Sequence, residues 1–599
     1  MMKLLDKSRG LVRDALQNLK QGLRAANRQR LYRRRMKRGL DYTAWIATHD
    51  TPSAQDRAAW QQWIKAQTKA TMVGMVLNAH ADSDVVQLKR SIDSLLAQSY
   101  PHWQLTVVLP ASGTDAQTLL VEKLAAGEPR IQVLSVAGEA SLGQLANLAL
   151  QSRQSAWVGL MHVGDQLREQ ALLVLAQTAQ AYPDAVLIYP DEDRINAQGR
   201  RSQHHFKPDW NADYQRSANY IGHVYWMARA HLVQQGGYAA DPNTAHEYEA
   251  LLRCTEGLAG EQIVHVPQVL WHQPTEAQPW SGAKALSGLQ AHLERSAPAA
   301  RASVTEQGLL RVHYAIPEPV PLVSIVICTR NQFKLLQTCI SSITQLTSYP
   351  RYEIIIVDNG SDESRTLDYL ACLPKQDHRI RVIRDDSPFN YAALNNMAVD
   401  QASGELVALL NNDIEAIHAD WLTEMVGHAM RPEVGCVGAK LLYPNDTVQH
   451  MGVLVGPGRD APDAIAAHYL RGIPRNAPGY ANRAIVAQQL TAVTAACLVI
   501  RKATFLQIGG LDAEHLAVTY NDVDFCLRVG ELGLCNVFTP HALLYHHESV
   551  SRGRDMSSKN QARFLPELAY MQRRWGSQLA HDPCYNPNLS HQKPDFLLT

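Results

Sequence analysis

Three short polar runs in the second half of the chain carry residue types that can do chemistry. They are Thr329-Arg330-Asn331, Asp358-Asn359-Gly360-Ser361-Asp362 and Asn411-Asn412-Asp413, and each follows an apolar run. An acid at a strand end facing a cleft accepts hydrogen bonds from a base or ribose. A second acid at the next strand end can hold a divalent cation against a diphosphate, because Mg²⁺ takes one or two carboxylates plus phosphate oxygens. None of the runs contains GxGxxG or GxxxxGK[ST], which argues against a dehydrogenase or a P-loop NTPase.

The elements that must position these residues can be read from the apolar pattern. Strands are expected at 323–328, 354–357, 381–383 and 406–410. Helical spacing of Leu335, Leu336, Cys339, Ile340 and Ile343 predicts one helix, and another is expected around 392–398. Strands this apolar are buried on both faces, which means a parallel sheet with crossover helices. Open α/β sheets bind ligands beyond the carboxyl ends of their strands, where the three polar runs lie.

The chain also matches itself. Ser99-Tyr100-Pro101 repeats as Ser348-Tyr349-Pro350, and at the same offset of 249 Arg130 meets Arg379, Asn147 meets Asn396 and Leu160 meets Leu409. Gly236-Gly237 then pairs with Gly509-Gly510, and Leu252-Arg253 with Leu527-Arg528. Two copies of one unit explain the series, the second with an insertion near 445–485. The expected organisation is a basic amphipathic helix at 1–45, a first domain at 70–275, a linker at 276–320 with a helical stretch around 283–294, a second domain at 321–555, and a C-terminal helix and tail at 556–599. In that last helix Phe564, Leu565, Leu568, Met571 and Trp575 form the apolar stripe.

The runs at 323–331, 354–362 and 409–413 resemble the family 2 glycosyltransferases of GT-A fold. The likeness extends over Thr491-Ala-Val-Thr-Ala-Ala-Cys-Leu498, Gly509-Gly-Leu-Asp512, Tyr520-Asn-Asp-Val-Asp-Phe-Cys-Leu-Arg528 and Tyr545-His-His-Glu-Ser549. It resembles in particular the bacterial tandem-domain members linked to O-antigen and other surface polysaccharides. The resemblance implies an α/β chain of two tandem, Rossmann-like GT-A domains, nucleotide-diphospho-sugar transferases by type. The implied reaction moves a hexosyl or deoxyhexosyl group, with inversion, to a hydroxyl of a polysaccharide or lipid-linked acceptor.

The resemblance also implies roles. Asp522 is the general base, and Thr329, Arg330, Asp358, Asn395 and Asn411 bind the nucleotide sugar. Asp413 and His546 bind a divalent cation, Mg²⁺ or Mn²⁺. Asn521, Asp524 and Arg528 support them, the last two as a buried ion pair or an acceptor contact. Two departures stand out: the family's DxD motif is here Asn411-Asn412-Asp413, and Asn521 replaces an acid often found before the base. Of the adjacent His546 and His547, opposite strand faces leave at most one as a ligand.

In the first copy Leu109 stands at the position of Asp358 and Gly164 at that of Asp413, with Asp165 displaced by one. Glu247, Glu249 and His272 stand where Asp522, Asp524 and His546 stand. This copy is read as degenerate, gripping acceptor polysaccharide, or alternatively as a second active site with altered donor geometry. Its Asp191-Glu192-Asp193 run is read as a solvated acidic turn or, less commonly, a metal site.

Composition bounds the rest. Of 599 residues 46% are apolar and 19% charged, with 57 basic and 57 acidic residues, the profile of a globular protein without nucleic-acid partners. Nine cysteines without a CxxC pair argue against a disulfide framework. Residues 1–40 carry thirteen Lys and Arg against Asp6 and Asp14, so the tail holds +11 and the body −11. A basic amphipathic helix suits an anionic membrane surface, or it caps the next domain before a solvated charge run. No apolar run spans a membrane and no signal peptide is evident, so a cytoplasmic enzyme, peripheral on the inner face of a bacterial plasma membrane, is expected. The alternative is a carbohydrate-binding scaffold on two degenerate copies.

Overall fold

The computed structural model of the chain describes residues 41–599 except 81, 111–113, 137–139, 278–279, 457–464, 548–557, 592–593 and 599, and within 1–40 only Asn27 and Arg30. The basic amphipathic helix expected at the N-terminus lies outside the described residues. Two compact units emerge, Tyr42–Ala315 with Pro583–Leu589, and Ile316–Asp582 with Ser590–Thr599.

The second unit is built on a sheet whose order is Ile380–Arg384, Tyr352–Asp358, Val323–Thr329, Leu406–Asn411, Cys497–Arg501, Val434–Leu442, Cys535–His546, Ile414–Ala416. The first four strands are parallel, and Cys497–Arg501 then runs antiparallel to both of its neighbours. Ile325, Ile327, Ile354, Ile356, Leu406 and Leu410 are fully buried between the sheet and the flanking helices. Each such side chain contributes about 1.5–3 kcal/mol relative to exposure. The expected strands and helices lie inside the observed ones, including the helices Phe333–Leu346 and Tyr391–Asp400.

The first unit has a sheet of the same order: Ile131–Val136, Trp103–Pro110, Val73–Asn78, Trp157–His162, Trp226–Ala228, Leu187–Ile195, Ile263–Pro274, Gln166–Leu167. Residues that match between the copies make matching contacts. Asn147 brackets Tyr238, donating to its carbonyl at 2.8 Å and accepting from its N–H at 2.9 Å. Asn396 does the same to Leu511 at 2.8 and 2.9 Å. The glycines before the bracketed residues, Gly237 and Gly510, have φ of +74° and +70°, and a Cβ there would lie 2.3 and 2.5 Å from the bracketing amide oxygen. Only glycine fits. Arg130 and Arg379 stack at 4.0 and 4.5 Å over Trp103 and Tyr352, each paired with an acid two residues before it.

Two expectations need correction. Residues 276–320 are not mainly a linker: the helix Gly282–Ser296 buries Ala285, Leu289 and Leu293 against Tyr248, Leu252, Leu310 and Val312 within the first unit. In the helix Ser558–Trp575 the residues Phe564, Leu568, Met571 and Trp575 are buried, but Leu565 is exposed, one position off the stripe. The insertion forms short strands, Val448–His450 on Val434–Leu442, and Val453–Val455 with Ala466–His468. The buried Lys440 ties it down by donating to the carbonyls of Arg475 and Ala484 at 2.8 and 2.7 Å. Among the described residues no helix is long and apolar enough to cross a membrane.

Candidate active site

Asp358 closes its strand buried, with Oδ1 accepting from the N–H of Ser361 at 3.1 Å and Oδ2 from Arg384 Nη1 at 2.6 Å. The Asp-Asn-Gly-Ser turn is held from the neighbouring strand end. Asn331, in the left-handed region at φ +55°, accepts from the N–H groups of Asp362 and Glu363 through Oδ1 and donates to Asp362. Thr329 Oγ1 accepts from Asn412 at 2.9 Å, which ties the first polar run to the third, while Arg330 is exposed.

At the third run Asp413 and His546 are both buried and face each other, Oδ1 to Nε2, at 3.2 Å. Asn411 joins them, its Nδ2 3.4 Å from the same His546 nitrogen and its Oδ1 accepting from the Tyr391 hydroxyl. His546 Nδ1 is buried without a hydrogen-bond partner. His547 turns to the other face and meets Glu415 at 2.8 Å. No group of three or more His, Cys, Asp and Glu arranged for a metal occurs among the described residues. One carboxylate and one imidazole nonetheless fit a cation that draws its other ligands from a diphosphate and water.

Asp522 sits in the first turn of the helix Asn521–Glu531, half-buried. Its Oδ2 accepts from the N–H of Ala495 at 3.2 Å and its Oδ1 from that of Val523. The segment 491–496 links it to the strand end beside it, since Asn411 N–H donates to the Ala496 carbonyl at 3.0 Å and Tyr391 OH to that of Ala495 at 3.2 Å. Tyr520 enters the helix at φ +61°, and Asn521 is buried with its amide on the Val518 carbonyl.

Not every predicted residue faces this cleft. Asn395 is 1% exposed and donates to the Tyr391 carbonyl one turn back, a packing contact within its own helix. Asp524 and Arg528 form a buried ion pair at 2.7 Å, with Trp575 Nε1 donating to the other Asp524 oxygen and Arg528 Nη1 donating to the carbonyls of Ile508 and Gly510. Glu249 and Arg253 repeat the arrangement at 2.9 Å, with Arg253 donating to the carbonyls of Gln235 and Gly237. Sequence reasoning missed His450 and His468, which the insertion brings against segment 491–496.

The first unit holds a different set. Leu109 is buried core. His162, at the position of Asn411, meets Glu247 at 2.6 Å, and Asp165 meets His223 at 2.7 Å. The two imidazoles stack 4.1 Å apart. Burial works against charge on both partners, yet the Glu247 carboxylate holds His162 above the ordinary range and His162 holds Glu247 well below it. A carboxylate so stabilised as an ion is a weak proton acceptor. His272 turns instead to Asp193.

The acids Asp191, Glu192 and Asp193 are no solvated turn. They lie on the strand Leu187–Ile195, and Asp191 and Asp193 are fully buried. Asp191 accepts from Lys207 N–H, His265 and Asn586; Glu192 from His205 and Gln273; Asp193 from Tyr42 and Arg201. These partners take the lone pairs a metal would need.

The sequence matches Glycosyl transferase family 2 over residues 85–232 and 324–481, one segment in each unit. It is 40% identical over 86% of its length to the uncharacterized protein y4gI of Sinorhizobium fredii, covering 57% of that protein. It is 33% identical over 92% of its length to the O-antigen biosynthesis protein RfbC of Myxococcus xanthus, covering 42% of it. The chain thus spans about half the length of the curated relatives it matches. Among solved structures it is similar, at 18% identity and a TM-score of 0.32 over 45% of this chain and 71% of that one, to the mannosyltransferase PcManGT from Pyrobaculum calidifontis in complex with GDP-Man and Mn²⁺. The chain belongs to glycosyl transferase family 2, whose model it matches twice, once in each unit.

Proposed function

We propose that the second unit is the catalytic half of a metal-dependent inverting glycosyltransferase, moving a hexosyl or deoxyhexosyl group from a nucleotide-diphosphate donor to a hydroxyl of a surface polysaccharide or lipid-linked acceptor. The observation that carries this reading is that segment 491–496 bonds both the carboxylate of Asp522 and the strand end bearing Asn411 and Asp413. Asp358 accepts from the base or ribose. Asp522 takes the proton of the acceptor hydroxyl as its oxygen attacks the anomeric carbon. Attack and departure lie on opposite faces of the sugar, so base and diphosphate site must be separate groups. Asp413 and His546 would hold a Mg²⁺ or Mn²⁺ ion, which offsets charge on the departing diphosphate. The first unit, with Glu247 neutralised by His162 and no counterpart of Asp358, carries no transfer.

Nucleoside-diphosphate release from a panel of UDP-, GDP- and dTDP-linked hexoses, with Mn²⁺ or EDTA, tests the reading. Turnover that EDTA and Asp522→Asn abolish and Glu247→Gln leaves intact supports it. Full activity of Asp522→Asn removes the base. The missing acids at Asn411 and Asn521 favour a carbohydrate-binding scaffold instead, and binding of sugars without turnover of any donor establishes that second reading. For residues 1–40 we propose an anionic membrane surface on the cytoplasmic side. Sedimentation with phosphatidylglycerol vesicles that survives deletion of 1–40 overturns this.

A further inference from the structure

His450 belongs to the insertion that separates the second unit from the first in sequence, and it is fully buried. Its Nδ1 lies 2.9 Å from Nδ1 of His468, the two rings near perpendicular at 5.1 Å, and its Nε2 accepts from the N–H of Thr494 at 3.4 Å. The ring is fully buried and accepts a backbone N–H at Nε2, an arrangement that suits the neutral imidazole. One tautomer satisfies both contacts: Nδ1 carries the proton and donates to His468, and the Nε2 lone pair receives the Thr494 N–H.

The next residue along is Ala495, whose N–H donates to Asp522 Oδ2. Two consecutive amides, at 494 and at 495 where the chain enters a turn, are therefore fixed, one by the insertion and one by the carboxylate. Other bonds locate the same segment from outside. Val453 N–H donates to the Ala492 carbonyl, and Thr491 Oγ1 donates to the buried Asp582. The Thr494 N–H belongs to the 493–494 peptide, whose carbonyl accepts from Cys526 Sγ at 3.5 Å, so His450 holds the N–H side of the peptide that immediately precedes the one bonded to Asp522.

We propose that His450, oriented by His468, is a positioning residue for the base: it holds the 494–495 segment so that the Ala495 N–H orients Asp522 toward the acceptor hydroxyl. The insertion is then part of the catalytic apparatus rather than only a surface for the acceptor. This rests on the reading of Asp522 as base. A hydrogen bond to a catalytic carboxylate fixes the carboxyl plane, and misplacement by about 1 Å costs up to ~10²-fold in rate.

The test uses the full-length chain with Mn²⁺ and the best nucleotide sugar of the panel, water or a simple alcohol serving as acceptor. His450→Phe keeps a ring of similar volume and removes the acceptor nitrogen; His450→Gln places an amide oxygen within reach of the Thr494 N–H. The expected result is a fall of about tenfold in kcat for His450→Phe with KM for the donor within about twofold, and recovery of most of that loss in His450→Gln. On an Asp522→Asn background His450→Phe is expected to add nothing, since its effect passes through the missing base. Loss of kcat and KM together, a His450→Gln variant as poor as His450→Phe, or a full additional loss on the Asp522→Asn background each overturns the proposal. Unchanged kcat in His450→Phe overturns it too, with Asp522 still the base if Asp522→Asn is dead. Full activity of Asp522→Asn overturns the underlying reading instead.

Discussion

Asp522 and Asp524 stand two residues apart on one helix, and the structure gives them opposite duties. Replace Asp524 by Asn and Arg528 loses its ion pair at 2.7 Å while its Nη1 stays tied to the carbonyls of Ile508 and Gly510. The guanidinium cannot swing out to water, so a buried charge is left uncompensated. Breaking such a pair from one side costs about 3–5 kcal/mol. The Trp575 indole N–H can still donate to the new amide oxygen, which places the loss toward the lower figure. Asp522→Asn removes a half-buried carboxylate whose two oxygens each accept one backbone N–H; the single amide oxygen keeps one of these bonds and the other N–H loses its acceptor. Its stability cost is about 1 kcal/mol. Removing a general base lowers kcat by about 10²–10⁴, or ~3–5 kcal/mol of barrier. Urea unfolding followed by intrinsic fluorescence and nucleoside-diphosphate release per folded molecule read the two quantities separately. Asp524→Asn is expected to shift the unfolding midpoint and keep its turnover, and Asp522→Asn the reverse. A stable but inactive Asp524→Asn, or an Asp522→Asn that unfolds readily and turns over normally, refutes the reasoning.

Gly438→Ala puts a Cβ 2.6 Å from the Cβ of Val493, so the backbone that carries the 494–495 amides must shift; about 1–3 kcal/mol of stability and a lowered kcat are expected from denaturation and turnover. Burial, helped by Arg475, pulls Lys440 down to about 7, below its value in the unfolded chain. Between those two values the unfolded state binds more protons, so this group adds stability as pH rises from about 7, by up to ~1.4 kcal/mol per pH unit. The difference in unfolding free energy between wild type and Lys440→Met should grow with that slope from pH 7 to 8, the buried thiols affecting both proteins alike; a constant difference refutes it. Asp413→Ala is expected to bring turnover in Mn²⁺ down to that of EDTA-treated wild type, with His546→Ala retaining a weaker, right-shifted Mn²⁺ titration. Identical titrations for mutants and wild type remove both residues from the cation site.

The parallel half of the second unit's sheet was legible because its strands at 323–328, 354–357 and 406–410 are largely aliphatic runs, whereas the mixed half that begins at the antiparallel Cys497–Arg501 departs from the parallel sheet expected. The run at 323–328 extends one residue, to Thr329, where the next residue turns toward solvent. The strand ends were therefore legible too, and with them Asp358 and Asp413. What could not be read depends on contacts between residues far apart in sequence. A three-residue strand such as Val448–His450 has no period to detect, and nothing local distinguishes His450 from a surface histidine. The acids at 191–193 look like a solvated turn because their partners, from Tyr42 to Asn586, arrive from separate elements. Asn395 failed for a related reason: the helix was predicted correctly, but the face it buries is fixed by packing against the sheet.

Comparing the two units with each other separates scaffold from chemistry better than either unit does alone. Residues identical in both copies turn out to be fasteners: Asn147 and Asn396 bracket a backbone, Arg253 and Arg528 cap a carbonyl pair, Arg130 and Arg379 stack on an aromatic ring. None of them touches the candidate cleft. Several positions at strand ends and at the helix start facing that cleft differ between the copies: Leu109 against Asp358, His162 against Asn411, Gly164 against Asp413, Glu247 against Asp522. A scaffold under one packing constraint tolerates no change at its fasteners, because a Cβ at Gly237 or Gly510, or a lost partner for Arg253 or Arg528, costs kilocalories in either unit. The cleft residues instead take different partners in each unit: Asp358 accepts from Ser361 and Arg384 where Leu109 is core, and Asp413 meets His546 where the first unit has Gly164. The same logic says why His450 is worth testing: it belongs to a segment that one unit has and the other lacks, and it bonds the peptide next to the one whose N–H donates to Asp522.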